Sequence, residues 1–186
     1  MTNTLKINPD TALLEPILYR PSPHNDERPQ GVSIDMIVVH GISLPPGEFG
    51  SQAIEDFFCA CLDTSAHPYY AQIAALRVSA HLLIRRTGEI IQFVPFARRA
   101  WHAGESSFQG KTRCNDFSVG IELEGTDQIP YERVQYDQLG NVIRLLKQFY
   151  PVITDDRIVG HEDIAPGRKT DPGPAFDWDY LKGIIE

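Results

Sequence analysis

Three widely separated positions carry side chains suited to holding a metal ion. His40 ends the apolar run "IDMIVVH" and opens the loop "GISLPPGEFGS". His161 sits in a similar place after "RIVG", and the stretch that it opens, "GHEDIAPGRKTDPG", also holds Lys169 and Asp171. The Pro and Gly content of that stretch argues against regular helix or strand and predicts a rigid loop, where binding and catalytic groups tend to sit. Taken singly, each residue reads as an ordinary capping or solvated side chain. Taken together, two imidazoles and a carboxylate at strand ends give three ligands for a first-row metal and leave a fourth place open, as in a catalytic zinc site. A closed structural site calls for more thiolates. The cysteines are Cys59, Cys61 and Cys114, an odd number whose C-x-C pair has no second pair to complete a site. We read them as core thiols, with Cys59 and Cys61 facing different ways on one helix.

Rival ligands remain. His161-Glu162 starts like H-E-x-x-H, but position 165 is Ala, so that motif is absent. His24 reads as solvated, His67 as a turn residue before Pro68, and His81 as a half-buried structural residue. His102, in "AWHAG", is the one that its position does not dismiss.

A zinc ion would constrain the chemistry. It makes hydroxide available near neutral pH and polarises carbonyls, which fits amide or ester hydrolysis and not redox chemistry. Such a site gains about 10²–10⁴-fold from a carboxylate base near the attacking water. "GIELEG" offers Glu122 and Glu124, which alternation puts on the strand face opposite Val119, Ile121 and Leu123. Solvation is a good account of Glu124, but periodicity alone does not rank the two. Glu162 is a third candidate. Lys169, two residues before Asp171, is placed to stabilise an oxyanion, against the commoner fate of a solvated loop lysine.

The elements that must position these groups follow from patterning. Residues 1–31 are Pro-rich and irregular. Strands are expected at 34–40, on both sides of a Thr87-Gly88 hairpin turn, at 117–125 and at 157–161. A helix capped by Ser51 would carry Ile54, Phe57, Phe58 and Cys61, a long one spans about 132–149, and a last one, "WDYLKGII", is capped by Asp177. The segment 67–80 reads as either a short helix or a loop. Strands alternating with helices, with one hairpin among them, predict an α+β fold: a central mixed sheet with helices packed against it, in a single domain over 1–186. Strand order does not follow from the sequence.

The chain has 186 residues and a formal charge of −8. That balance argues against a nucleic-acid binder and against docking on anionic membranes. No segment has the length and apolarity of a membrane span or a signal-peptide core, so a cytoplasmic location is expected.

Four stretches also carry a family resemblance. "IVVHGISLPPGEFG", "RVSAHLLIRRTGEIIQFVPFARRAWHAG", "RCNDFSVGIELEGTD" and "GHEDIAPGRKTDPGPAFDW" resemble the AmpD family, cytoplasmic 1,6-anhydro-N-acetylmuramyl-L-alanine amidases. That family falls within the zinc amidases related to phage T7 lysozyme and the peptidoglycan recognition proteins. The resemblance implies one Zn²⁺ per chain on His40, His161 and Asp171, Glu122 rather than Glu124 as the catalytic glutamate and general base, and Lys169 as stabiliser of the transition state. It further implies Trp101 as an aromatic groove wall, Tyr69, Arg77 and Arg113 as groove residues, and His102 as a neighbour of the site. The implied reaction cuts the amide between anhydro-N-acetylmuramic acid and L-alanine in soluble anhydromuropeptides. That small-molecule substrate is the expected partner, and the chain is expected to act as a monomer. A non-catalytic wall-fragment binding module and a zinc amidase acting on intact murein are the alternatives. One departure stands out: Gly41 replaces an Asn common after the first ligand, which removes a possible substrate contact and frees the local backbone.

Overall fold

The computed structural model describes residues 4–185, so the expected span of 1–186 extends past the described residues at both ends. Six strands form one mixed sheet. In chain order they are β1 (Leu18–Tyr19), β2 (Met36–Ile42), β3 (Leu82–Ile84), β4 (Ile90–Gln92), β5 (Ser118–Glu124) and β6 (Ile158–Gly160). Their order across the sheet is β6-β2-β5-β3-β4-β1. The pairs β6/β2, β2/β5 and β5/β3 are parallel, β3/β4 is the antiparallel hairpin, and β1 runs parallel to β4. Gly88 takes the positive φ of 83° that the hairpin turn needs.

Strands β2 to β6 are largely buried on both faces, whereas edge strand β1 is exposed, and alternation divides the residues of the buried strands. Ile37 and Val39 of β2 and Val119, Ile121 and Leu123 of β5 pack with Leu139, Ile143 and Leu146 of the long helix α3 (Arg133–Phe149). The last helix, α5 (Trp178–Ile185), joins them through Leu181 and Ile185. Burial of each such side chain contributes about 1.5–3 kcal/mol. Helix α3 starts at a capping box between Glu132 and Gln135. Asp177 serves α5, accepting from the Tyr180 N–H at 2.9 Å. On the opposite face, Met36 and Val38 pack with Ala103, Cys114, Val159 and Ile164. Farther along, Leu83, Ile91 and Phe93 pack against α1 (Ala53–Phe58).

Local expectations are corrected at several points. Helix α1 ends at Phe58, because Ala60 turns left-handed with φ 58°, which leaves Cys61 exposed and Cys59 only half-buried. Of the three thiols, only Cys114 is buried. The N-cap of α1 is Gln52, although Ser51 Oγ still accepts from the Ala53 N–H at 3.2 Å. Segment 67–80 contains a short helix, α2 (Pro68–Ile73), whose N-cap His67 accepts from the Tyr69 N–H through Nδ1. The Pro-rich loop includes one helical turn, α4 (His161–Ile164), because Asp163 Oδ2 accepts the Gly160 N–H at 2.7 Å and fixes its start. The N-terminal segment supplies edge strand β1, and Arg28 donates to the carbonyls of Phe96, Asn115, Asp116 and Ser118.

Candidate functional site

Register brings the separated residues together. Parallel pairing sets Glu122 of β5 opposite His40 of β2, and in a parallel pair opposed side chains share a face. Gly160 of β6 lies opposite Val39, so His161 emerges level with His40. The Glu162 N–H then donates to the Asp171 carbonyl at 3.0 Å, which folds the end of the Pro-rich loop back beside His161.

The result is a compact donor triangle. His40 Nδ1 lies 3.0 Å from His161 Nδ1 and 3.2 Å from Asp171 Oδ2, and His161 Nδ1 is 3.1 Å from the same oxygen. Two donors on a tetrahedral zinc with bonds of about 2.0 Å stand about 3.3 Å apart. The residues therefore fit a zinc ion in spacing. They also fit in chemistry. His161 Nε2 faces the Ala103 carbonyl at 3.2 Å, and a carbonyl only accepts, so Nε2 bears the proton and Nδ1 presents a lone pair. Burial pushes the His40 imidazole down to about 4, against the opposing pull of Asp171, so it is neutral at pH 7. A lone pair and a carboxylate in van der Waals contact repel one another unless a cation lies between them.

The two acids of β5 have different surroundings. Glu124 is 2% exposed rather than solvated. Its Oε1 accepts from the Gly50 N–H and its Oε2 from the Arg86 N–H, so it ties the loop after β2 to the hairpin turn. Glu122 Oε2 is buried with no hydrogen-bond partner among the described residues. Burial raises its carboxyl well above the usual range, the Asp171 charge adds to that, and Lys169 opposes it. Glu122 lines a cleft of about 240 Å³ together with His40, Tyr69, His161, Lys169 and Asp171. Glu162 is not part of that lining.

The remaining groove candidates are dispersed. Arg77 is exposed and lines a neighbouring recess that shares Phe57 and Leu76 with the cleft. Arg113, in a left-handed conformation with φ 64°, lines a separate recess with Ser107 and Arg168. Trp101 is outside the cleft lining. Its indole donates to Asp26 Oδ1 at 3.2 Å and stacks on His24 at 5.9 Å between ring centroids. His24 is thus half-buried rather than solvated, and it faces the Val78 carbonyl at 3.1 Å. His81 is fully buried, with Nδ1 accepting from the Gly120 N–H.

His102 lies behind His40, with its Nδ1 2.9 Å from His40 Nε2, the ring nitrogen that points away from the donor triangle. Burial drives its imidazole well below the usual histidine range, so it is neutral. Sequence patterning did not single out Tyr131. Its ring occupies the space beside Gly41 and Gly125, and its hydroxyl donates to the Pro172 carbonyl at 3.0 Å. A Cβ on Gly41 would collide with that hydroxyl, so Gly41 is a filled position and not a loosened one. Two glycines, Gly41 and Gly125, near the ends of apolar strands were the available sign of such a close approach.

The mixed sheet, the His-His-Asp cluster at its strand ends and an unpartnered acid in one cleft define a hydrolase with a candidate metal centre. The family model for N-acetylmuramoyl-L-alanine amidases matches residues 30–174, and the chain belongs to that family. It is 61% identical over 165 residues to the 1,6-anhydro-N-acetylmuramyl-L-alanine amidase AmpD of Escherichia coli strain K12, covering 89% of this chain and 90% of that protein. A crystal structure of a selenomethionine AmpD derivative superposes with a TM-score of 0.92 at 55% identity, covering 95% of this chain and 98% of that one. The E. coli amidase AmiD, in complex with anhydro-N-acetylmuramic acid-L-Ala-D-γ-Glu-L-Lys, gives a TM-score of 0.59 at 32% identity, covering 85% of this chain and 60% of that one. The AmpD resemblance drawn from the motifs and the α+β class are both borne out. No helix among the described residues is long and apolar enough to cross a membrane.

Proposed function

We propose that this protein is a zinc-dependent amidase that hydrolyses the bond between anhydro-N-acetylmuramic acid and L-alanine in soluble anhydromuropeptides, in the cytoplasm, as a step in peptidoglycan recycling. The observation that carries the proposal is the donor triangle of His40, His161 and Asp171 sharing a cleft with the unpartnered Glu122 Oε2. The names of the AmpD relatives and the ligand bound to AmiD support the substrate class.

A zinc ion on the three donors would supply a nucleophile at neutral pH and polarise the scissile carbonyl. Glu122 acts as general base. Its free Oε2 takes the proton of the attacking water, and its buried setting favours passing that proton on to the leaving amine of L-alanine. Lys169, exposed on the cleft rim, places an ammonium where negative charge develops on the carbonyl oxygen. Tyr69 forms part of the cleft wall against which substrate would lie, Arg77 lines the adjoining recess and would meet a stem-peptide carboxylate there, and Trp101 and Arg113 keep a groove role only as the family resemblance implies it.

Purified protein incubated with an anhydromuropeptide should release free peptide, and EDTA should stop the release. Absence of release from protein verified to carry zinc overturns the proposal. Cell fractionation checks the location.

A further inference from the structure

We propose that His102 is a positioning residue which, anchored by Ser118, fixes the tautomer of His40 so that Nδ1 is the nitrogen offered to a metal. The inference rests on the zinc reading above and on proton accounting along one buried chain of hydrogen bonds. Ser118 Oγ lies 2.6 Å from the Cys114 carbonyl oxygen. Two oxygens that close repel without a proton between them, and the carbonyl has none, so the hydroxyl donates to it. The hydroxyl proton is then committed. His102 Nε2, 3.1 Å from Ser118 Oγ, must therefore be the donor in that contact. A neutral imidazole carries one proton, so His102 Nδ1 is an acceptor. His40 Nε2 faces that acceptor at 2.9 Å and must donate to it. His40 Nδ1 is left as a lone pair directed at His161 and Asp171.

The chain is built into the fold. Asn115 Oδ1 accepts from the backbone N–H groups of His102 and Ala103, which sets where the imidazole begins. The ring lies over Gly120, in space that a Cβ at that position would occupy. It meets the His40 ring edge-on, at 85° and 5.0 Å between centroids. Ser118, Gly120 and Glu122 alternate along β5 on one face, so a single strand carries the anchor, the gap and the acid in sequence. His161 reaches the same tautomer through the Ala103 carbonyl, next along the chain from His102. One short segment, 102–103, thus orients both imidazoles. Partners of this kind typically influence metal affinity by about 10–100-fold.

The test compares wild type with His102→Leu, which has no acceptor, and His102→Asn, whose side-chain oxygen can still accept. Zinc affinity is measured by chelator competition, and histidine tautomers by ¹⁵N–¹H ring correlations on zinc-loaded protein. The expected result is wild-type His40 protonated at Nε2, affinity about 10–100-fold weaker in His102→Leu, and recovery of most of that loss in His102→Asn. Wild-type His40 protonated at Nδ1 overturns the inference without any variant. So does unchanged zinc affinity in His102→Leu, or an equal loss in His102→Asn, which would indicate packing alone. A wild type that binds no zinc instead overturns the proposed function.

Discussion

Gly41→Ala is expected to be costly in this chain because of one neighbour. The added Cβ collides with the Tyr131 hydroxyl, and the ring cannot withdraw freely, since it also fills the space beside Gly125 and packs edge-on against Phe176 at 5.4 Å. Overpacking of this kind costs about 1–3 kcal/mol. Displacing the hydroxyl also breaks its bond to the Pro172 carbonyl, for about 0.5–1.5 kcal/mol more. The sum is about 1.5–4.5 kcal/mol. In a Tyr131→Phe background the clashing atom is gone, and the nearest remaining atoms, Tyr131 Cζ and Pro172 Cα, are both 3.5 Å from the new Cβ, an ordinary contact. There Gly41→Ala should be close to neutral, helped by the lower chain entropy of Ala in the unfolded state. Urea unfolding of the four proteins at matched zinc content gives the coupling directly. A coupling above about 1 kcal/mol is expected. Additivity within about 0.5 kcal/mol refutes the reasoning, because it would mean that the hydroxyl and the Cβ do not compete for the same space.

Glu122→Gln should retain zinc by elemental analysis and lose about 10²–10⁴-fold in turnover, and near-normal activity would remove it as the base. Asp171→Ala should lose both metal and activity; retained stoichiometric zinc would exclude it as a ligand. Lys169→Ala should keep zinc while turnover falls about 10²–10³-fold, so a fully active variant would end its oxyanion role. Burial lowers His81 to about 3, whereas an unfolded histidine titrates near 6.5. Its stabilising contribution is complete above pH 6.5 and is lost as pH falls toward 3, because the unfolded chain takes up a proton that the folded one refuses. Urea midpoints should therefore drop across that window, and His81→Asn, though less stable overall, should show a shallower drop; an unchanged slope removes His81 as the cause.

Patterning located β2, β5, the hairpin and α3 because burial leaves a periodic mark: the apolar run ending at His40, Thr87-Gly88 between two β-rich stretches, and the spacing of Leu139, Ile143 and Leu146. It did not indicate the sheet order, which depends on pairings between segments far apart in the chain. The ranking of the two acids was hidden for the same reason. Glu122 and Glu124 share a strand face, and their difference lies in partners at Gly50, Arg86 and Asp171, none of them local. The single turn at His161 was missed because its Asp163 cap outweighs the Pro and Gly that follow. Tyr131 read as a residue ahead of a helix, and only the fold places it against Gly41.

Strand β6 is the border of the sheet, joined to β2 alone through Ile158–Gly160. Two of the three donors follow that border in the chain, so the centre is fastened to a three-residue strand paired on one side only. Mild stress that unzips it would scatter His161 and Asp171 while the apolar interior around α3 stayed intact. Inactivation should then run ahead of global melting, and a bound ion would act as the rivet that keeps the two events together.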